Sequence, residues 1–190
     1  MPFKTLIAAT LLAASAAALA ESATYAADPT HTFVVYESAH FGTSTNRGRF
    51  PIQEGKVQFD RAAKTGAVDI TIDITGVTTG VAPLDTHLKS KDFFNAAEFP
   101  TGRFVSDKVS FSGDKVSEVS GKLTLLGKTQ PVTLKASNFN CYQNPLLKRE
   151  VCGGDFETTI VRSQYGITYG LNYGFPDNIR LLVQVEAIKQ

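Results

Sequence analysis

Three histidines, two cysteines and a few arginines are the residues of this 190-residue chain with chemistry to offer. His31, His40 and His87 could supply three imidazoles to zinc, leaving a fourth position open for water. Their spacing argues otherwise. His31 and His40 are nine positions apart and fall on opposite faces of a regular strand, while His87 belongs to a helical pattern. Local hydrogen bonds, His31 with Asp28 and His87 with Asp85 or Asp92, are the expected use, and no metal or other cofactor is expected. Arg47, Arg49, Arg103 and Arg162 could hold a phosphate or phenolic head group; salt bridges to neighbouring acids are the plainer reading. No G-x-S-x-G elbow, H-E-x-x-H, P-loop or dinucleotide fingerprint occurs, so no catalytic residue is assigned and the protein is not read as an enzyme. A triad assembled from a serine and one of the histidines stays open.

Cys141 and Cys152 are the only cysteines. Met1–Ala20 has a basic n-region at Lys4, an apolar stretch through Leu6, Ile7, Leu11 and Leu12, and a small-residue cleavage pattern at Ala18 to Ala20, with a second site possible at Thr24 to Ala26. This is read as a signal peptide, leaving 21–190 as one domain in the periplasm or secreted. There a disulfide persists, and Cys141 with Cys152 is expected to form one, stabilising by ~3 kcal/mol in the chain-entropy model. The spacing is not that of a C-x-x-C redox pair. Lys4 is the sole charge in the leader, so 18 basic and 18 acidic residues remain. That balance, with the bases scattered among acids, argues against nucleic acid and offers no polybasic cluster for anionic lipid. The leader is too short and alanine-rich for a membrane span, and no stable membrane insertion is expected.

The elements that must carry these residues are strands. Val68, Ile70, Ile72 and Ile74 alternate with Asp69, Thr71, Asp73 and Thr75, and Ile179, Leu181, Val183, Val185 and Ala187 repeat the pattern. Further strands are expected over 33–41, 46–52, 56–60, 103–111, 116–125, 132–139 and 156–162, about nine in all. Short connectors such as Gln53-Glu54-Gly55 and Ser112-Gly113-Asp114 favour antiparallel neighbours. A closed antiparallel barrel of about eight strands removes the exposed edges. Leu84, His87, Leu88 and Lys91 share helical spacing between Pro83 and Pro100, giving one short helical insertion that caps an end of the barrel. A barrel of this size either fills with its own side chains or holds a small ligand. The mature chain is rich in phenylalanine and lacks tryptophan.

The segment from Asp85 to Pro100, Asp28 to His31 ahead of the first long strand, Val119 to Leu134, and Arg162 to Gly166 together resemble the YceI-like family of secreted bacterial lipid-binding proteins. The resemblance covers nearly all of the mature chain. It implies an all-β, lipocalin-like barrel whose apolar channel holds a polyisoprenoid lipid, quinone-like or a prenyl phenol or phosphate, for transport, storage or sequestration without chemical change. Each five-carbon unit buried would gain about 4 kcal/mol gross, so affinity should follow tail length and then saturate. From strand alternation the inward candidates are Phe33, Val35, Phe50, Ile70, Ile72, Phe104, Leu123, Leu125, Leu181 and Val183; Leu84, Leu88, Phe93 and Phe94 would form the cover. A surface-interaction or stress protein with a filled core and a sequestering protein for hydrophobic antibiotics are the alternatives. Monomer and dimer are both open.

Overall fold

Strands form wherever alternating residues have an interior to cover on one face. The computed structural model describes residues 22–190, and there this rule yields nine strands and one α-helix among the described residues. In chain order they are β1 Ala23–Ala27, β2 Phe33–His40, β3 Ser44–Asp60, β4 Thr65–Asp73, α1 Ala82–Lys89, β5 Thr101–Ser112, β6 Lys115–Leu125, β7 Lys128–Gln143, β8 Glu150–Val161 and β9 Asn178–Lys189. From β2 onward each strand pairs antiparallel with the next, and β9 returns to β2 through Phe33↔Gln184 to Glu37↔Arg180. The sheet closes into a barrel of eight staves. Strands of twelve residues, rising ~3.3 Å per residue and tilted ~40°, give it a length of roughly 30 Å. No helix among the described residues is long and apolar enough to cross a membrane; the segment read as a leader lies outside them.

Nine strands make eight staves because β1 and β2 share one. Both lie between β3 and β9, end to end, with Asp28–Thr32 as the kink that joins them. The Asp28 carboxylate accepts from the Thr30 amide at 2.9 Å and pairs with His31 Nδ1 at 2.7 Å. Thr32, only 1% exposed, fills the gap in the ladder with its side chain. Its Oγ1 donates to the Glu186 carbonyl at 3.0 Å and accepts from the Glu186 amide at 3.1 Å. The local bond expected between His31 and Asp28 therefore holds a corner of the barrel.

Two strand boundaries differ from expectation for physical reasons. Residues 46–52 and 56–60, read as separate strands around a Gln53-Glu54-Gly55 turn, form the single 17-residue β3, and the polar tripeptide is a bulge against β4 between Ile52 and Glu54. A bulge of this kind bends a long strand without ending it, so β3 pairs with β2 at its start and β1 at its end. The segment between the cysteines is strand only at its ends, Tyr142, Gln143, Glu150 and Val151, with the turn confined to 144–149. Cys141 and Cys152 face each other across the β7–β8 ladder and are disulfide-bonded, leaving only a tight turn beyond them.

Successive turns alternate between the two ends of the barrel. One end carries the β3–β4, β5–β6 and β7–β8 turns and the disulfide, and is floored by aromatic rings. Phe59 stacks on Phe111 at 5.7 Å and meets Phe139 edge-on at 5.7 Å, with Tyr25 beside it at 6.4 Å. The other end carries the β2–β3 and β6–β7 turns, the long β4–β5 connection with α1, and the β8–β9 connection.

Candidate functional site

A cavity of about 750 Å³ occupies the barrel interior, within the roughly 300–1,000 Å³ usual for small-molecule sites. The inward rows of β4 and β9 line it as their alternation requires, through Ile70, Ile72, Leu181 and Val183, joined by Phe50, Phe104, Leu123 and Leu125. Leu84 and Leu88 of α1, with Phe93 and Phe94 after it, close it from above. Proline in the first turn starts α1, and Leu88 is its buried anchor. Phe59 and Phe139 form the lower limit.

Val35 does not line the cavity. Val34, Tyr36, Ser38 and His40 hold the inward positions of β2, and Val35 pairs with Arg49 and Leu182 on the outer face. Phe33 borders the cavity only at the kink, where its ring lies 3.6 Å beneath the Arg49 guanidinium. The phase is set by Tyr36, which sits directly opposite Gly48 in the ladder. A Cβ at Gly48 would fall 2.3 Å from the Tyr36 ring, so the ring occupies the space a side chain would take.

The mouth is made by residues that strand alternation could not reveal. Phe41, 58% exposed, stands at the tip of the β2–β3 turn and packs on Phe175 at 4.8 Å, while His40 meets both rings. Tyr169 and the 70%-exposed Tyr173 complete the cavity's outer lining on the β8–β9 connection. That connection carries Tyr-Gly three times at four-residue spacing, ending at Gly166, Gly170 and Gly174, each left-handed with φ of 80–90°. The repeat is the signal by which this loop could have been found. Each glycine permits a turn that an L side chain resists, and these turns bring Tyr169 against His87 and Phe93 of the cover.

Polar groups are few and sit near the mouth. Arg162, 6% exposed, is not the surface salt bridge expected of it. Its Nε donates to the Pro176 carbonyl at 2.9 Å and its Nη1 to the Ile167 and Tyr169 carbonyls at 3.1 and 2.8 Å, tying the β8–β9 connection together. Burial pushes its pKa down, and the nearby Asp177 carboxylate works in the opposite direction. Nη2 has no hydrogen-bond partner among the described residues, yet Arg162 borders the cavity. Burial pushes the Tyr36 phenol up to about 12, with the Asp85 carboxylate adding to the shift. Asp85 itself is committed to Thr79, accepting from its amide at 2.7 Å and its hydroxyl at 2.6 Å. His87 therefore pairs with Asp92 instead, at 2.9 Å. Arg47 and Arg103 form the expected ion pairs, with Glu37 and Asp69. The histidines stay far apart in role, and no group of three potential metal ligands converges among the described residues.

The arrangement can hold a long apolar molecule and present one cationic group at its open end. A profile of the YceI-like domain matches residues 25–187 of this chain. The chain belongs to the YceI-like family. A UPF0312 protein of Shewanella denitrificans is 35% identical over 161 residues, covering 84% of this chain and 83% of that protein. Protein YceI of Salmonella arizonae is 33% identical over the same length. Among solved structures, BcnA of Burkholderia cenocepacia superposes with a TM-score of 0.67 at 25% identity, covering 84% of this chain and 98% of that one. A polyisoprenoid-binding domain from Saccharophagus degradans shares the YceI-like fold with a TM-score of 0.59 at 13% identity, covering 90% of this chain and all of that one.

Proposed function

We propose that this protein is an exported carrier that binds a long-chain polyisoprenoid lipid in its barrel, tail down, without changing it chemically. The observation that carries the reading is the cavity itself. It runs between apolar walls from an aromatic floor to a mouth where Arg162 is the one charged lining residue. A protein working only through its outer surface has no use for such an interior, and an arginine with an uncommitted Nη2 suits a phosphate, phenol or quinone oxygen left at the mouth. The polyisoprenoid-binding neighbour supports the ligand class through its fold, and the disulfide supports a periplasmic or secreted setting. Burial of Tyr25 in β1, 2% exposed, favours processing upstream of it rather than at Thr24 to Ala26.

The test is native mass spectrometry of detergent-free periplasmic protein, followed by solvent extraction and titration with prenyl compounds of increasing tail length. A stoichiometric prenyl lipid, with affinity rising per unit and then levelling once the tail reaches Phe59 and Phe139, is expected. An empty protein that takes up none of the series would refute the carrier.

A further inference from the structure

Three stretches of the loops around the mouth lack charge. No Asp, Glu, Lys or Arg occurs in 40–46, 74–84 or 163–176, although 19% of the chain is charged. These loops include Phe41, Val81, Tyr169 and Tyr173, each more than 40% exposed. The charges of this end lie at the flanking positions Asp73, Arg162 and Asp177, on the segment after Leu84 and on Lys128; Asp73 and Asp177 are taken up by bonds to Thr75 and Ser163. An uncharged collar tipped with tyrosine and phenylalanine is unlike an ordinary solvated rim. Such side chains reside where a bilayer meets water, with rings among the acyl carbons and polar tips among the head groups.

We propose that this collar docks the protein mouth-down on the surface of a lipid bilayer. The occupant follows from continuity. The same Phe41, Tyr169 and Tyr173 that are exposed outside also line the cavity inside, so a collar seated in the interface joins cavity to membrane without an aqueous gap. The purpose of docking rests on the carrier reading, but the docking itself would hold for an empty barrel. Because the collar is neutral, binding does not require anionic lipid and is insensitive to salt. The backbone at Phe41 allows a clean substitution by glycine: at φ 52° it is left-handed, a turn conformation shared by Leu126 and Lys64 at other turns and open to glycine without strain.

The opposite end supplies the control. There Leu146, 89% exposed, and Leu147 protrude beside Lys148 and Arg149 at the β7–β8 turn. Folding also brings Arg61, Lys64, Lys115 and Lys189 to this end, interspersed with Asp60, Asp114 and Glu150, the last paired with Arg61. Docking by this end would depend on anionic lipid and fade with salt.

The experiment is flotation of the intact mature protein with phosphatidylcholine vesicles, and with vesicles containing phosphatidylglycerol, at low and high salt. The wild type should float with both at either salt. Phe41→Gly, whose left-handed backbone suits glycine, should fold normally by circular dichroism and bind about tenfold less; Tyr173→Ser should weaken binding similarly, and Leu146→Ser with Leu147→Ser should not. Three outcomes overturn the proposal: no flotation of the wild type, loss only in the Leu146 and Leu147 variant, or a dimer that Phe41→Gly abolishes while vesicles are ignored. Native mass spectra of the same samples keep the two readings apart. Lipid-loaded protein that does not float refutes docking alone, and floating protein that never loads refutes the carrier alone.

Discussion

Replacing Gly154 by alanine tests how tightly the barrel is drawn around its cavity. Gly154 lies on β8, opposite Phe139 on one side and Val185 on the other. An added Cβ would stand 2.1 Å from the Asn138 carbonyl oxygen and 3.0 Å from two further backbone atoms of β7. Carbon and oxygen approach only to ~3.3 Å, so β8 must retreat from β7 by about 1 Å. A closed barrel has no edge at which to release that shift, and Gly153 is already pressed against Val185 of β9, where its own Cβ would fall 2.0 Å from a carbonyl oxygen. Loss of about two ladder bonds, some with partners left unmet, costs roughly 4 kcal/mol. Alanine's smaller unfolded-state freedom returns ~0.4–1 kcal/mol. The net expectation is about 3 kcal/mol of destabilisation, a fall of ~6–12 °C in thermal midpoint for a chain of this size. Gly113→Ala is the comparison, with a left-handed φ of 61° but nothing within 4 Å of the new methyl; it should cost ~1–2 kcal/mol. Reversible denaturant unfolding of both variants decides the matter. If Gly154→Ala is no less stable than the wild type, or milder than Gly113→Ala, the close-approach reasoning is wrong.

Other expectations are more direct. Changing Cys141 and Cys152 together to serine should cost ~3 kcal/mol, read as a lower guanidinium midpoint, and should abolish any further effect of reductant. His31 is held above its ordinary pKa by the hydrogen bond and charge of Asp28. Its contribution is thus present in full below the unfolded value and is lost as pH rises through the folded one, so the stability gap between wild type and His31→Gln should shrink as pH rises above the ordinary histidine value of about 6.5. Burial opposes ionisation of Asp28, but bonds from His31 and Thr30 hold its pKa below the usual value, so its share is lost instead in acid as pH falls through the folded value. Arg162→Met leaves the carbonyls of Pro176, Ile167 and Tyr169 without their donor. It should destabilise by ~2–4 kcal/mol and open the 162–177 connection to limited proteolysis before the barrel unfolds.

Legibility followed the strength of alternation. The inward rows of β4 and β9 were readable because polar positions separate most of their apolar ones, and a strand covering one interior needs that pattern; the ends were less so, β4 starting at Thr65 where a connector was expected. The run Phe33-Val34-Val35-Tyr36 has no such separation, and its phase depends on Tyr36 resting on Gly48, a partner twelve residues away. That misplaced Val35. β1 escaped notice because Ala-Thr-Tyr-Ala-Ala carries little strand propensity, and it is held by pairing to β3 and β9 on both sides. Leu84, Leu88, Phe93 and Phe94 were legible as a cover because helical spacing between prolines stands out in a β-rich chain. The mouth was not, since Tyr173 and Phe175 sit in a loop whose shape comes from left-handed glycines and from a buried arginine bonded to carbonyls.

The aromatic floor has a kinetic consequence. With Phe59, Phe111 and Phe139 packed together at one end, a linear guest of the proposed carrier would have to enter and withdraw through the mouth. No second molecule can push it out from behind. Exchange is then single-file and strictly dissociative: the rate at which one guest replaces another is independent of the concentration of the newcomer.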